Sequence, residues 1–280
     1  MREFDGASAF RYIETQVGFG PRIPNTEAHT KMGAWLDSML LTRSDTLVVQ
    51  KWDHVTLKGD TLHLTNFIAR FNPQATKRVL FLAHWDSRPI SDSPKSPDKT
   101  KPVPGANDGG SGVALLLGVA DALKRRPTTM GVDLLFDDGE DYGDFEAKPV
   151  AADVLIGARY YAAHQLPGPQ PLYAVLWDLI ADRDLQLYQE GNSLVGAPEV
   201  VERVWDTARE LGHSTYFIPS PKYTLIDDHL ELQKVGLRAI DVVDFDYPSW
   251  HTPFDTIDKV SAASLQIVGD VAVGLVRKEE

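Results

Sequence analysis

Histidine and carboxylate side chains stand at the ends of successive apolar runs in this chain. They are His84 and Asp86 in FLAHWDS, Asp108 in PGANDGGSG, Glu140 and Asp141 in LLFDDGED, Asp178 in VLWDLI and His251 in SWHTPFDT. Imidazole nitrogens and carboxylate oxygens are ligands that zinc takes, and a catalytic zinc uses three such ligands while keeping a position open for substrate. A buried zinc centre is therefore the leading expectation. Within the adjacent pair Glu140 and Asp141, one carboxylate can ligate metal while the other moves protons as general base and acid. Asp86, two residues after His84, is placed to orient an imidazole.

Each of these residues has an ordinary structural explanation when taken alone. His84 would be a satisfied core histidine, Asp178 a strand-end cap, and His251 a loop residue held by its aromatic neighbour Trp250. Adjacent acids usually mark a solvated turn, because like charges repel. Asp227, Asp228 and His229 could begin the helix that HLELQKVG suggests, with Asp as its cap. Their ordered recurrence at strand ends outweighs these separate readings. His29, His54, His63, His164 and His213 are read as structural or surface residues, since none has a carboxylate partner in a matching position.

Bringing such scattered groups together requires a particular architecture. Residues 8–41 read as helical pieces around the turn GFGPRIPN, with Ile13, Met32, Trp35, Leu36 and Met39 facing inward. Residues 46–71 hold short alternating runs broken at Lys58, Gly59 and Asp60, which suits antiparallel strands and a hairpin. From RVLFLAHWD onward, the apolar runs VLFLA, VDLLF and YAVLWDLI alternate with helical stretches at 111–124 and 154–163. A helix at 198–211, a strand in LRAIDVVDF and a closing helix at 261–275 follow. Runs apolar on both faces, set between helices, predict a mixed, mainly parallel twisted sheet flanked by helices on both faces. The expected α/β fold is a single domain over residues 1–280. Ligands bind such sheets beyond the carboxyl ends of the strands, where His84, Glu140, Asp141 and Asp178 fall. GGSG at 109–112 supplies permissive backbone and a helix amino terminus beside Asp108. Residues 87–105, rich in Pro, Ser, Lys and Asp, read as a solvated loop, with a lid over the site as the sharper alternative.

Bulk properties narrow the field. The 280 residues are 43% hydrophobic and 24% charged, as expected of a globular chain able to bury a core. A formal charge of −12 with no basic stripe argues against nucleic acid. It mildly favours a neutral or cationic partner, such as a peptide with a free amino terminus. Without cysteine, disulfides and thiolate metal sites are excluded. VALLLGVADAL is too short to span a membrane, and MREFDGASAF lacks the basic-then-apolar pattern of a signal peptide. A phosphate-binding loop would need a spacing and a Lys that are absent. A serine hydrolase would need a G-x-S-x-G elbow, whereas Ser111 precedes a helix. The intact Glu140 and ligand set count against a metal-free binding module.

Taken in order, AHWDSRP, PGANDGGSGV, FDDGEDYG, WDLI, IDDH and DYPSWHTPFDTIDK resemble the zinc-dependent aminopeptidase superfamily. Within it the chain is most similar to the animal-type glutaminyl cyclases and their bacterial relatives, from about Phe4 to Val276. The resemblance implies a three-layer α/β sandwich of the hydrolase and aminopeptidase kind. It implies zinc held by Asp108, Asp141 and His251, with Glu140 as the proton-transfer residue. It also implies that Asp178 and Asp228 form a hydrogen-bonded group beside the reacting centre, and that Trp250 shapes the substrate pocket. Many members carry Glu where this chain has Asp141, and the shorter carboxylate still ligates zinc.

The activity so implied is an acyl transfer: amino-terminal glutamine of a peptide or protein becomes pyroglutamate and ammonia leaves, with one zinc ion. The alternative is a two-zinc aminopeptidase using His84, Asp108, Asp141, Asp178 and His251, in which water attacks the peptide carbonyl. In a cyclase the substrate's own amine is the nucleophile, and a second zinc would compete for it. Trp250 beside His251, the IDDH segment and HWDSRP favour the cyclase; the ligand inventory leaves both open, with His84 and Asp86 as second-metal ligands or as supports. The resemblance to bacterial envelope cyclases implies a periplasmic or secreted location, and a monomer is favoured.

Overall fold

The structure, a computed structural model, describes residues 3–145 and 153–280. Two helices come first, α1 (Gly6–Phe19) and α2 (Glu27–Leu41). Asp5 and Thr26 cap them, their side chains accepting the backbone N–H of Ser8 and of His29. Ile13, Met32 and Leu36 are buried, while Trp35 and Met39 are partly buried and pack against the same core. Strands β1 (Thr46–Val55) and β2 (Thr61–Phe71) form the expected antiparallel hairpin. Then β3 (Arg78–His84), α3 (Gly110–Arg125), β4 (Gly131–Asp137), α4 (Ile156–Ala163) and β5 (Ala174–Asp178) alternate along the chain. They are followed by β6 (Leu187–Glu190), α5 (Gly191–Gly196), α6 (Pro198–Glu210), β7 (Phe217–Tyr223), α7 (His229–Lys234), β8 (Ala239–Val243) and α8 (Ala262–Lys278).

Six strands make the main sheet in the order β1-β2-β4-β3-β5-β8. β4, β3, β5 and β8 run parallel, and β2 joins β4 antiparallel. Every residue of β3 and β4 is buried, as an unbroken apolar run requires when helices cover both sheet faces. Side chains alternate between faces along a strand. Val79, Phe81 and Ala83 therefore join the large core with α1, α2, α3, α6 and α8. Leu80 and Leu82 join a smaller core with Ala158 and Tyr161 of α4 and Leu232 of α7. This is the three-layer α/β sandwich expected from the sequence. Among the described residues, no helix is long and apolar enough to cross a membrane.

Two features depart from expectation. β6 and β7 form a separate two-stranded parallel sheet, with register shifts where Gln189 meets Pro221. Proline lacks the backbone donor that a ladder uses, so FIPSPKY carries little strand signal. Residues 87–105 are solvated in their middle, 94–101, but anchored at both ends. Arg88, Ser91, Ser93 and Val103 are buried, and Val103 N donates to the Arg88 carbonyl at 3.0 Å. The buried Arg22 donates to the carbonyls of Pro104 at 2.7 Å and Gly105 at 2.8 Å. Polar tethers hold this segment where apolar packing is scarce.

Candidate metal centre

The parallel strands β3, β4 and β5 end at one rim, which brings His84, Asp178 and the turn carrying Glu140 and Asp141 together. Asp108 arrives from the loop before α3. That approach is close: Gly109 has φ +71, and a Cβ there would lie 2.8 Å from the Asp86 carbonyl and 2.9 Å from His84 Cε1. Gly112 in the first turn of α3 packs so tightly on β5 that a Cβ would overlap the Trp177 carbonyl. The GGSG sequence is therefore a packing requirement of the site.

Two ligand groups result, Asp108, Asp141 and His251 in one, His84, Asp108 and Asp178 in the other, each with its ligand atoms within 4.8 Å of one another. His251 Nε2 is 3.4 Å from Asp141 Oδ1 and 3.7 Å from Asp108 Oδ2. His84 Nε2 is 3.3 Å from Asp108 Oδ1 and 3.4 Å from Asp178 Oδ1. On its other side, His84 Nδ1 lies 3.3 Å from Asp86 Oδ1. The Asp86 carboxylate also accepts the backbone N–H groups of Glu140 (3.1 Å) and Asp141 (3.2 Å), so it ties the imidazole to the acidic turn.

Asp108 Oδ2, Asp141 Oδ2 and His84 Nε2 are buried without hydrogen-bond partners. An unsatisfied buried polar atom costs about 1–3 kcal/mol, more when charged, and a bound cation removes that cost. Burial and the neighbouring Asp141 charge both push the Asp108 carboxyl up. Such crowding of acids calls for positive charge, and a donor set of two carboxylates and one imidazole suits zinc.

His251 occupies left-handed backbone at φ 51, which is costly for a residue with a Cβ. Several contacts hold it there. Its carbonyl accepts Ser93 N at 3.2 Å, its Nδ1 lies 2.9 Å from Asp92 Oδ1, and the Trp250 ring stacks on it at 3.9 Å. Burial would raise the Asp92 carboxyl, but hydrogen bonds from His251 and Arg88 hold it well below the usual carboxylate range.

A cavity of about 650 Å³ opens onto this cluster, walled by Glu140, Asp178, Asp227, Phe245, Trp250 and His251. Burial pushes the Glu140 carboxyl well above its ordinary value. The structure corrects one expectation here. Asp227, not Asp228, lines the cavity with Asp178. Asp228 is fully buried behind the wall, against Asp137. Neighbouring residues entering a helix point in different directions, and only the fold says which one meets the cavity. Burial, then the charge of Asp178, drives the Asp227 carboxyl well up.

The remaining histidines are structural or surface residues, as expected, although several meet carboxylates in space. His29 Nε2 lies 2.9 Å from Asp138 Oδ1, His54 Nε2 2.9 Å from Asp153 Oδ1 and His63 Nδ1 2.7 Å from Asp53 Oδ1, so each has a carboxylate partner. None of them belongs to a ligand group among the described residues. His29 instead stacks on Trp85 at 4.3 Å, backing the strand end that carries His84. Sequence reasoning allowed Asp227 only a place at the start of a helix, and Arg88 and Asp92 no role, although these two stand i and i+4 just past the HWDS motif.

Parallel strands whose carboxyl ends gather metal-type ligands under a cavity define a class of metal-dependent enzyme. The chain belongs to peptidase family M28, whose model matches residues 66–276. It is 31% identical to a Bacteroides thetaiotaomicron glutaminyl cyclase solved with N-acetylhistamine, with a TM-score of 0.94 and 99% of both chains covered. It is 33% identical to a Zn-dependent exopeptidase from Parabacteroides distasonis, with a TM-score of 0.93 and 98% of both chains covered. Aminopeptidase YwaD of Bacillus subtilis is 24% identical over 98% of this chain, which spans 57% of that protein's length. Family membership and the ligand groups together imply zinc. Cyclase and exopeptidase share the fold almost equally, so the choice between them rests on the site.

Proposed function

We propose that this chain is a zinc-dependent glutaminyl cyclase that converts amino-terminal glutamine of peptides or proteins to pyroglutamate. The carrying observation is the carboxyl pair of Asp178 and Asp227 on one cavity wall. A second metal at His84, Asp108 and Asp178 would need Asp178 as a free carboxylate. Asp227 lines the same wall, and burial, then the Asp178 charge, pushes its carboxyl well up, so the wall offers a protonated acid beside Asp178 in place of a further anionic ligand. Asp108, Asp141 and His251 would then hold one zinc, which would supply Lewis-acid polarisation of the substrate's side-chain amide carbonyl.

The residues of the chain supply the rest. Trp250 and Phe245 form an aromatic corner, ring centroids 4.8 Å apart, against which the glutamine side chain folds back toward its own amine. Holding it there makes ring closure an oriented intramolecular reaction. The Glu140 carboxylate takes a proton from the α-amine as its nitrogen bonds to the amide carbon. It returns that proton to the departing nitrogen, which leaves as ammonia when the carbon–nitrogen bond breaks. Asp178 and Asp227 orient the amine through hydrogen bonds.

The His84, Asp108 and Asp178 group favours the second reading, a two-zinc aminopeptidase. Mass spectrometry of a peptide with amino-terminal glutamine, incubated with zinc-loaded protein and with a chelator-treated control, separates the two. Loss of ammonia from an intact peptide, abolished by chelation, is the expected result. Release of the amino-terminal residue would refute the cyclase and make His84 a ligand.

A further inference from the structure

We propose that Arg88 and Asp92 are positioning residues of the metal centre, clamping two of its ligands so that each is fixed in orientation. This rests on the reading of Asp108, Asp141 and His251 as the metal group. Arg88 Nη1 donates to Asp141 Oδ1 at 2.7 Å and to the Asp141 carbonyl at 3.1 Å. Its Nε and Nη2 grip the two oxygens of Asp92 at 2.8 and 2.5 Å. Asp92 Oδ1 in turn lies 2.9 Å from His251 Nδ1, and Ser93 N donates to the His251 carbonyl at 3.2 Å.

The consequence is atomic. With Nδ1 engaged by Asp92, the imidazole is left with Nε2 for a metal, and its ring cannot swing. Arg88 likewise fixes Asp141 through Oδ1, which faces His251 Nε2 at 3.4 Å, while Oδ2 stays buried and unpartnered. The guanidinium is itself almost fully buried, with 2% of its side chain exposed, so this is no ordinary surface ion pair. Residues 88–93 are then a fixed wall of the site, since moving them would break the bonds to His251 and Asp141 together.

The test uses the whole chain, stripped of metal and titrated with zinc against a chromophoric chelator, with cobalt(II) substitution for spectroscopy. Asp92→Ala is expected to weaken zinc binding by about 10–100-fold, the usual effect of removing a partner behind a metal ligand. It should also alter the cobalt absorption spectrum. Asp92→Asn, whose amide oxygen still accepts from Nδ1–H, should recover most of both, and the stripped proteins should melt alike. Arg88→Lys keeps the charge but loses the fork that spans the two carboxylates, and should weaken zinc binding even if Asp92→Ala does not fold. Zinc affinity and cobalt spectra unchanged in these variants would overturn the clamp. So would a loss matched by an equal drop in the stripped protein's melting temperature without rescue by Asn. Failure of the unaltered chain to bind zinc tightly would overturn the metal reading, and the clamp with it.

Discussion

Replacing Glu140 by Gln separates proton transfer from metal binding. Glu140 belongs to neither ligand group, and its nearest imidazole atom, His84 Nδ1, is 3.8 Å away. Its place is set by the main chain: its N–H is held by Asp86 Oδ1 at 3.1 Å, and its carbonyl accepts Leu155 N at 2.9 Å. Gln keeps the volume and both backbone bonds. It also removes one buried acid from a crowded cluster, so folding and zinc content should persist. What it cannot do is take up and return a proton. General acid–base catalysis contributes about 10²–10⁴-fold, so turnover should fall by that factor, roughly 3–5 kcal/mol of barrier. The assay is ammonia release from a peptide with amino-terminal glutamine, read beside zinc content by elemental analysis and melting temperature. Wild-type turnover with zinc retained would remove Glu140 from the reaction. Loss of zinc along with activity would instead make it a ligand, against the geometry.

Asp108→Ala should empty the centre, because Asp108 is common to both ligand groups. Zinc content equal to wild type would sink that assignment. Asp227→Asn should reduce ammonia release sharply while Asp228→Asn leaves most of it, because only Asp227 faces the cavity. The reverse order would restore the role to Asp228. Burial holds the Asp244 carboxyl up at about 7, despite hydrogen bonds from Gln186 N and Asp246 N. An acid that holds its proton more tightly when folded stabilises the protein at low pH, and that stability is lost as pH rises from 3.8 to about 7. Asp244→Asn should therefore flatten the fall in melting temperature across that interval, and an unchanged pH profile would show that Asp244 does not carry it.

Much of the architecture was legible because burial on both faces writes itself into composition. β3, β4 and β5 are short runs with no polar face, and that pattern needs helices on either side of a parallel sheet. The ligands were legible for a related reason: strands in such a sheet end at one rim, so His84 and Asp178 converge whatever lies between them. β6 and β7 were not, since prolines erase the strand signal in β7 and the pairing is shifted.

Chain order alone thus determined the sheet, its covered faces and the residue types gathered beyond its strand ends. Direction and partnership were decided by the tertiary structure. Asp227 and Asp228 are equivalent in composition, yet helix entry turns one to the cavity and the other toward Asp137. His29 and Asp138 lie 109 positions apart, and His251 and Asp92 lie 159 apart, so no local pattern could pair them. Residues 87–105 look solvated by composition, but buried arginines at positions 22 and 88 tie them in through carbonyls and carboxylates. Hydrophobic periodicity is a local property and survives in the sequence. A hydrogen bond is a property of two atoms in space, and it exists only once the fold has brought them together.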